Sequence, residues 1–146
     1  MRSKYEGRVA KALDSAGIRW EYESYRLQYW LRVPGSRCTA CGGNDTERSG
    51  WYTPDFWLPD LGVFLETKGR FLSKDRTKMK AVHEQHPDEN IVMCFMADNK
   101  IHPSSTTRYS DWCHSIRLPF LVMAPTRSGQ VPLQARDLRE ALSMYK

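Results

Sequence analysis

The chain has 146 residues, 40% of them hydrophobic and 27% charged, with 22 Lys and Arg against 17 Asp and Glu for a net charge of +5. That length favours one domain with a sizeable core, and that composition excludes both a disordered tail and a membrane protein. No window approaches the ~18 consecutive apolar residues of a membrane span. The start, Met1-Arg2-Ser3-Lys4-Tyr5-Glu6, lacks the apolar h-region of a secretion signal, so a cytoplasmic chain with four reduced cysteines is expected. The charge permits a nucleic-acid partner without requiring one.

Ser3 to Ala16 has a helical period through Tyr5, Val9, Leu13 and Ala16, and Gly17 stands where a C-terminal cap belongs. Arg19 to Glu23 alternates like a strand, and Arg26 to Val33 is a second extended run. Pro34 to Gly50 turns to Gly, Ser, Asn, Asp and Cys and reads as a long loop or small insert. Trp51 to Leu58 and Leu61 to Lys68 read as two strands joined at Pro59-Asp60, with Pro54 marking an edge or bulge. Ser73 caps a helix that Pro87 stops. Ile91 to Ala97 is an apolar strand, Tyr109 to Ile116 a short helix, Leu118 to Met123 a strand, and Gln134 to Tyr145 a helix with Leu138 and Leu142 inward. The order implies an α/β fold, a mixed sheet flanked by helices, in a single domain over 1–146.

The most informative stretch is Tyr52-Thr53-Pro54-Asp55-Phe56 followed, after a turn, by Leu65-Glu66-Thr67-Lys68-Gly69. Glu66 and Lys68 are two apart in a strand and share a face, and hairpin pairing brings Asp55 near them. Two acids and a lysine on apolar strands are costly if unpaired. They make sense as holders of a hard cation such as Mg²⁺, with the Thr67 backbone carbonyl as another oxygen. Such a metal lowers the pKa of a bound water, and a second one ~4 Å away stabilises a leaving oxygen. Lys68 then orients or deprotonates the water, or pairs with a phosphate oxygen. The bland alternative is an exposed cross-strand pair worth ~0.2–1 kcal/mol. Glu6 adds a third carboxylate. Ser3-x-x-Glu6 is a capping box in its own right, and Glu6 facing the site would be a further metal ligand.

The spacing Asp, then Glu-x-Lys, resembles the PD-(D/E)xK nuclease superfamily. A more specific resemblance is to the phage endonuclease I family of Holliday-junction-resolving enzymes. It is carried by Ser3-x-x-Glu6, Ala16-Gly17-Ile18-Arg19-Trp20-Glu21-Tyr22-Glu23, the two stretches above, Asp75-Arg76, Glu84-Gln85-His86-Pro87 and Tyr109-Ser110-Asp111-Trp112-Cys113, in order over about 3–124. The resemblance implies a restriction-endonuclease-like fold and an intertwined, segment-swapped homodimer. It implies an Mg²⁺- or Mn²⁺-dependent endonuclease that cuts branched DNA to leave 5′-phosphates in a phage-infected bacterial cell. It implies catalytic Glu6, Asp55, Glu66 and Lys68, with Glu6 supplied by one subunit and the others by its partner, and two metals per site. The family's lysine-rich C-terminal end has no counterpart after Ala124.

Within the 34–50 insert, Cys38-Thr39-Ala40-Cys41-Gly42-Gly43 has the form of one zinc knuckle. Structural zinc takes four ligands, so two copies meeting at a two-fold axis would make one four-cysteine site; reduced unmetallated thiols or a redox pair are the alternatives. Cys94 and Cys113 read as buried thiols, and His83 and His86 as surface residues. Lys4, Arg8 and Lys11 share a helix face near Glu6, while Lys74, Arg76, Lys78 and Lys80 line the polar side of another helix after Arg70. These are candidate phosphate contacts, with a solvated face as the alternative. Two other functions compete: the same site acting on a mismatch or transposon end, and a DNA-binding module without catalysis.

Overall fold

The computed structural model describes residues 2–33 and 46–146. Its elements run α1 (Lys4–Ser15), β1 (Glu21–Tyr22), β2 (Leu27–Val33), β3 (Thr46–Tyr52), β4 (Phe56–Leu58), β5 (Val63–Lys68), α2 (Ser73–Gln85), β6 (Ile91–Phe95), α3 (Tyr109–Ile116), β7 (Phe120–Val122) and α4 (Ala135–Ser143). The α/β expectation holds. Five strands form a mixed sheet in the order β1-β4-β5-β6-β7, and β2 and β3 form a separate two-stranded arm. β1, β4 and β5 pair antiparallel; β5, β6 and β7 pair parallel, each crossover carrying a helix.

Local chemistry sets these elements. The Ser3 hydroxyl accepts from the Glu6 N–H at 3.1 Å and starts α1. Gly17, at φ +70°, supplies the left-handed turn that ends it. The β4–β5 hairpin closes with Leu61 and Gly62 donating to the Leu58 carbonyl, Gly62 lying at φ +65°.

The sheet separates two cores. On one face α1 and α4 lay Val9, Leu13 and Leu138 on Phe56, Leu58, Leu65, Val92 and Cys94. On the other, α2 and α3 lay Met79, Val82 and Cys113 on Phe64, Ile91, Met93 and Phe95. Cys94 and Cys113 are buried free thiols as expected, and burial pushes both up to about 12. Among the described residues no helix is long and apolar enough to cross a membrane.

Three expectations need correction. The extended run from Trp51 to Leu58 is two strands in two sheets. Pro54 lacks an N–H for the ladder, and the chain leaves the arm after Tyr52 to enter the main sheet at Phe56. The loop read as reaching Gly50 gives way earlier, because Thr46 to Gly50 belong to β3. Leu72, not Ser73, is the N-cap of α2, and the Asp75 carboxylate accepts from its N–H at 3.0 Å. Cys38 and Cys41, the candidate zinc knuckle, lie outside the described residues.

Candidate active site

β5 runs through the middle of the main sheet, and Val63 to Thr67 are all buried. One of those five is an acid: Glu66 is 6% exposed. An ion in that position costs several kcal/mol unless partners offset it. The Tyr52 hydroxyl donates to Glu66 Oε2 at 2.7 Å, and Lys68 Nζ lies 3.5 Å from Oε1. Burial, then the negative charge of Asp55, pushes the Glu66 pKa up to about 7, against the pull of Lys68, the Tyr52 hydroxyl and Lys78. Burial and the Glu66 charge hold the Tyr52 phenol well above its ordinary value.

Asp55 lies in the link between β3 and β4. The register Phe56↔Leu65 places it beside Glu66 and Thr67 at the end of β5. Its Oδ2 accepts from both the backbone N–H and the hydroxyl of Thr67, at 2.8 and 2.7 Å. Burial raises the Asp55 pKa and the Glu6 charge adds to the rise, while Thr67 and Lys68 oppose it. From the other side the Glu23 N–H donates to the Asp55 carbonyl at 3.0 Å. Glu23 does so from a left-handed backbone, φ +48°, a conformation that costs a non-glycine residue and concentrates at functional sites.

Glu6 reaches this region from the first turn of α1. Its Oε2 accepts from the Tyr22 hydroxyl at 2.6 Å and from the Arg2 N–H at 3.3 Å. The capping box is therefore half formed: Ser3 caps Glu6, but the glutamate turns to Tyr22 and Arg2. Lys68 completes the set. Its ammonium lies 3.5 Å from Glu66 and 3.7 Å from Asp75. Burial pulls the Lys68 pKa down, yet Glu66, Asp75 and Asp55 outweigh it and the net direction is up. The lysine is thus a cation at neutral pH, suited to pairing with an anion more than to taking a proton.

Hard oxygen donors such as Asp55 and Glu66, which burial and a neighbouring carboxylate discourage from ionising, with Glu6 close by, are the donor set a divalent cation suits. They are not preassembled, however. Among the described residues no three His, Cys, Asp or Glu side chains form a ready metal-holding group. Each acid is instead turned to its own hydroxyl: Glu6 to Tyr22, Asp55 to Thr67 and Glu66 to Tyr52.

A sequence model of the phage endonuclease I family matches residues 1–122, which include all four of these charged residues. The chain belongs to the phage endonuclease I family. Two curated relatives agree. Endodeoxyribonuclease 1 of Enterobacteria phage T3 is 38% identical over 113 residues, 77% of this chain and 64% of that protein. Endonuclease I of Escherichia phage T7 is 38% identical over 120 residues, 82% of this chain and 70% of its own length. The chain thus spans roughly two thirds of the length of these relatives, and α4 falls outside the stretch that the family model matches.

The other candidate residues of this family member divide. Lys4 and Lys11 on α1 are exposed, and Arg8 is half-buried. Arg8 and Lys11 line a groove of about 1410 Å³ between α1 and residues 128–137, away from the acids. Arg70, Lys74 and Lys80 are exposed around the start of α2 and along it. Arg76 and Lys78 are committed inward. Arg76 Nη1 donates to the Phe71 carbonyl at 2.6 Å, and the Lys78 ammonium sits over the Tyr52 ring at 5.4 Å. His86 is not an idle surface residue either, since its Nε2 donates to the Gln28 carbonyl at 2.6 Å.

Sequence reasoning missed Tyr22, Tyr52 and the Thr67 hydroxyl as site residues, and met Asp75 only as part of a matching motif. Tyr52 carried one signal, because it stands three residues before Asp55, in the run that the sequence read as one strand leading into the β5 hairpin. Tyr22 carried none, since which helix its hydroxyl meets depends on how α1 lies across the sheet.

Proposed function

We propose that the protein is a metal-dependent, structure-selective DNA endonuclease that resolves four-way junctions and other branched DNA by phosphodiester hydrolysis, leaving 5′-phosphates. The observation that carries this reading is the Glu66 carboxylate. It is buried in the central strand, pushed up to about 7 by burial and by Asp55, and set beside Lys68. An isolated fold gains nothing from such an arrangement. The names of the T3 and T7 relatives support the nuclease class.

In this reading Asp55, Glu66, the Thr67 carbonyl and Glu6 hold Mg²⁺ or Mn²⁺, two per site. When bound, the metals supply a water of lowered pKa and neutralise charge at the leaving oxygen. Tyr52, Thr67 and Tyr22 each hold one carboxylate in place by a short hydrogen bond. The Lys68 ammonium, kept charged by Glu66 and Asp75, pairs with a non-bridging phosphate oxygen as negative charge builds there. Asp75 keeps the lysine aimed while also capping α2.

One chain supplies Glu6 as well as Asp55, close enough for the Glu6 charge to act on Asp55. That proximity supports reading the four residues as one site. We further propose a homodimer with two such sites, because resolving a junction requires a cut on each of two strands. Such selectivity needs no base-edge contacts; phosphate contacts and the deformability of the branch carry it. The test is paired. Asp55→Asn and Lys68→Ala should each lower cleavage of a four-way junction at least about 10³-fold while leaving junction binding by gel shift within a few-fold. Cleavage retained by both variants would remove the mechanism.

A further inference from the structure

The β2–β3 arm has two unlike faces. Residues directly opposite in an antiparallel pair share a face, and faces alternate along each strand. The pairs Leu27↔Tyr52 and Tyr29↔Gly50 point inward, where Leu27, Tyr29 and Tyr52 join the second core. Gly50 has no side chain because the Tyr29 ring fills its place; a Cβ there would lie 2.7 Å from the ring. The pairs Gln28↔Trp51 and Trp30↔Ser49 therefore point outward, which makes Trp30 and Trp51 diagonal neighbours. Trp51 is 51% exposed and Trp30 47%. The Arg26 guanidinium stands over the Trp51 ring at 4.6 Å. Tyr25, also exposed, packs edge-on against Trp57 and Phe64 and is accounted for.

Single exposed apolar side chains are ordinary, but two adjacent indoles are a contiguous patch that marks an interaction site. The arm cannot swing to hide them. Gln85 at the end of α2 accepts from the Trp30 N–H and donates to the Trp30 carbonyl, both at 2.8 Å, as a strand neighbour would. His86 holds the Gln28 carbonyl from the same end. Trp51 immediately precedes Tyr52, whose hydroxyl holds Glu66, so the patch and that hydroxyl lie on opposite faces of one strand.

We propose that Trp30, Trp51 and Arg26 form a stacking platform for an unstacked nucleobase at the branch point of the DNA substrate; this rests on the nuclease reading above. An indole face accepts the π-face of any base, so the contact is sequence-tolerant, and an adjacent guanidinium adds cation–π attraction and a phosphate partner. Linear duplex keeps its bases stacked on one another, whereas a branch exposes base faces. The platform thus adds a reason for branch selectivity independent of arm angles. Charge favours this occupant: Arg26 lies on the patch, and the chain is +5 overall. Among the described residues of the arm, the one acid on this face, Glu47, stands further out, opposite Arg32.

The experiment titrates the full chain, in EDTA to prevent cutting, with a four-way junction carrying one unpaired thymine at the branch and with a blunt linear duplex. Tryptophan fluorescence and binding are followed together, and the oligomeric state is measured by light scattering. The junction should quench wild-type fluorescence and the duplex should not. The double variant Trp30→Ala, Trp51→Ala should lose most of that quenching and at least about tenfold in junction affinity. The double variant Trp30→Phe, Trp51→Phe, which keeps two stackable rings, should stay within about threefold of wild type. Junction binding unchanged in the alanine variant would overturn the platform, as would an alanine variant whose only defect is a changed oligomeric state, since the face would then contact a second copy. If the alanine variant fails to fold, absence of junction-specific quenching in the wild type overturns the proposal by itself. Wild type that cuts junctions in Mg²⁺ without such quenching leaves the nuclease standing and the platform fallen; wild type that neither binds nor cuts removes both.

Discussion

Tyr22, Thr67 and Tyr52 each lend a hydroxyl to one acid of the site, at 2.6 to 2.7 Å. Those bonds fix the acids but do not offset the cost of charging Glu66, whose pKa is pushed up to about 7 by burial first and Asp55 second. The folded protein therefore keeps a proton on Glu66 that the unfolded chain has already lost above its ordinary carboxylate value. Stability from this group is full below the unfolded pKa and is lost as pH rises through about 7. In chelator-treated protein, Glu66→Gln should raise stability at pH 8 by about 2 kcal/mol, or Tm by about 4–8 °C, and should change little at pH 4.5. Calorimetry at the two pH values checks the sign; a destabilised variant at pH 8 would contradict it. Tyr52→Phe keeps the ring but removes the bond to Glu66. It should lower the cleavage rate about 10- to 100-fold with junction affinity unchanged, measured under single turnover. Asp55, Glu66 and Lys68 could be grouped from the sequence because strand parity and a hairpin suffice to place them, whereas Glu6, on a helix, was assigned its role through the family resemblance. The Tyr22 and Tyr52 hydroxyls were not legible, because each of those bonds joins elements whose mutual packing no local pattern specifies.

The arm is the element whose placement the sequence concealed. Strand propensity continues from Trp51 to Leu58, and only Pro54 hints that the run divides between two sheets. Its attachment to α2 includes one side chain, Gln85, doing the work of a strand edge, beside the His86 bond to the Gln28 carbonyl. No periodicity announces such a clamp, whereas α1 and α3, fixed by apolar spacing and capping, were placed to within about two residues of their observed ends. Gln85→Ala removes two hydrogen bonds to the Trp30 backbone and should cost about 1–2 kcal/mol. The loss should appear locally, as faster amide exchange at Trp30 and faster proteolysis of the arm, with amide exchange in β5 and β6 unchanged. Uniform acceleration across the sheet would mean that the clamp belongs to the global fold.

At the scale of the whole molecule, two cores on opposite faces of one sheet hold the acids at a single end of β5. The α1 side delivers Glu6, and the α2 side delivers Asp75, Lys78 and the buried Tyr52. α4 completes the first core although it lies outside the stretch shared with the family model. Leu138 is fully buried there, and Leu138→Ala should cost about 2–5 kcal/mol by denaturant unfolding. A cost under 0.5 kcal/mol would show α4 to be an appendage. Under the proposed mechanism the net +5 understates the surface offered to DNA, because cations bound by Glu6, Asp55 and Glu66 would neutralise those acids. The central claim, a metal-dependent nuclease that selects branches, is tested most directly by one comparison. The purified chain is given a four-way junction and a linear duplex of the same sequence, each with Mg²⁺ and with EDTA. The account predicts junction cleavage at least about 100-fold faster than duplex cleavage, only in Mg²⁺, with 5′-phosphate ends. Equal rates on the two DNAs, or cutting that persists in EDTA, would contradict it.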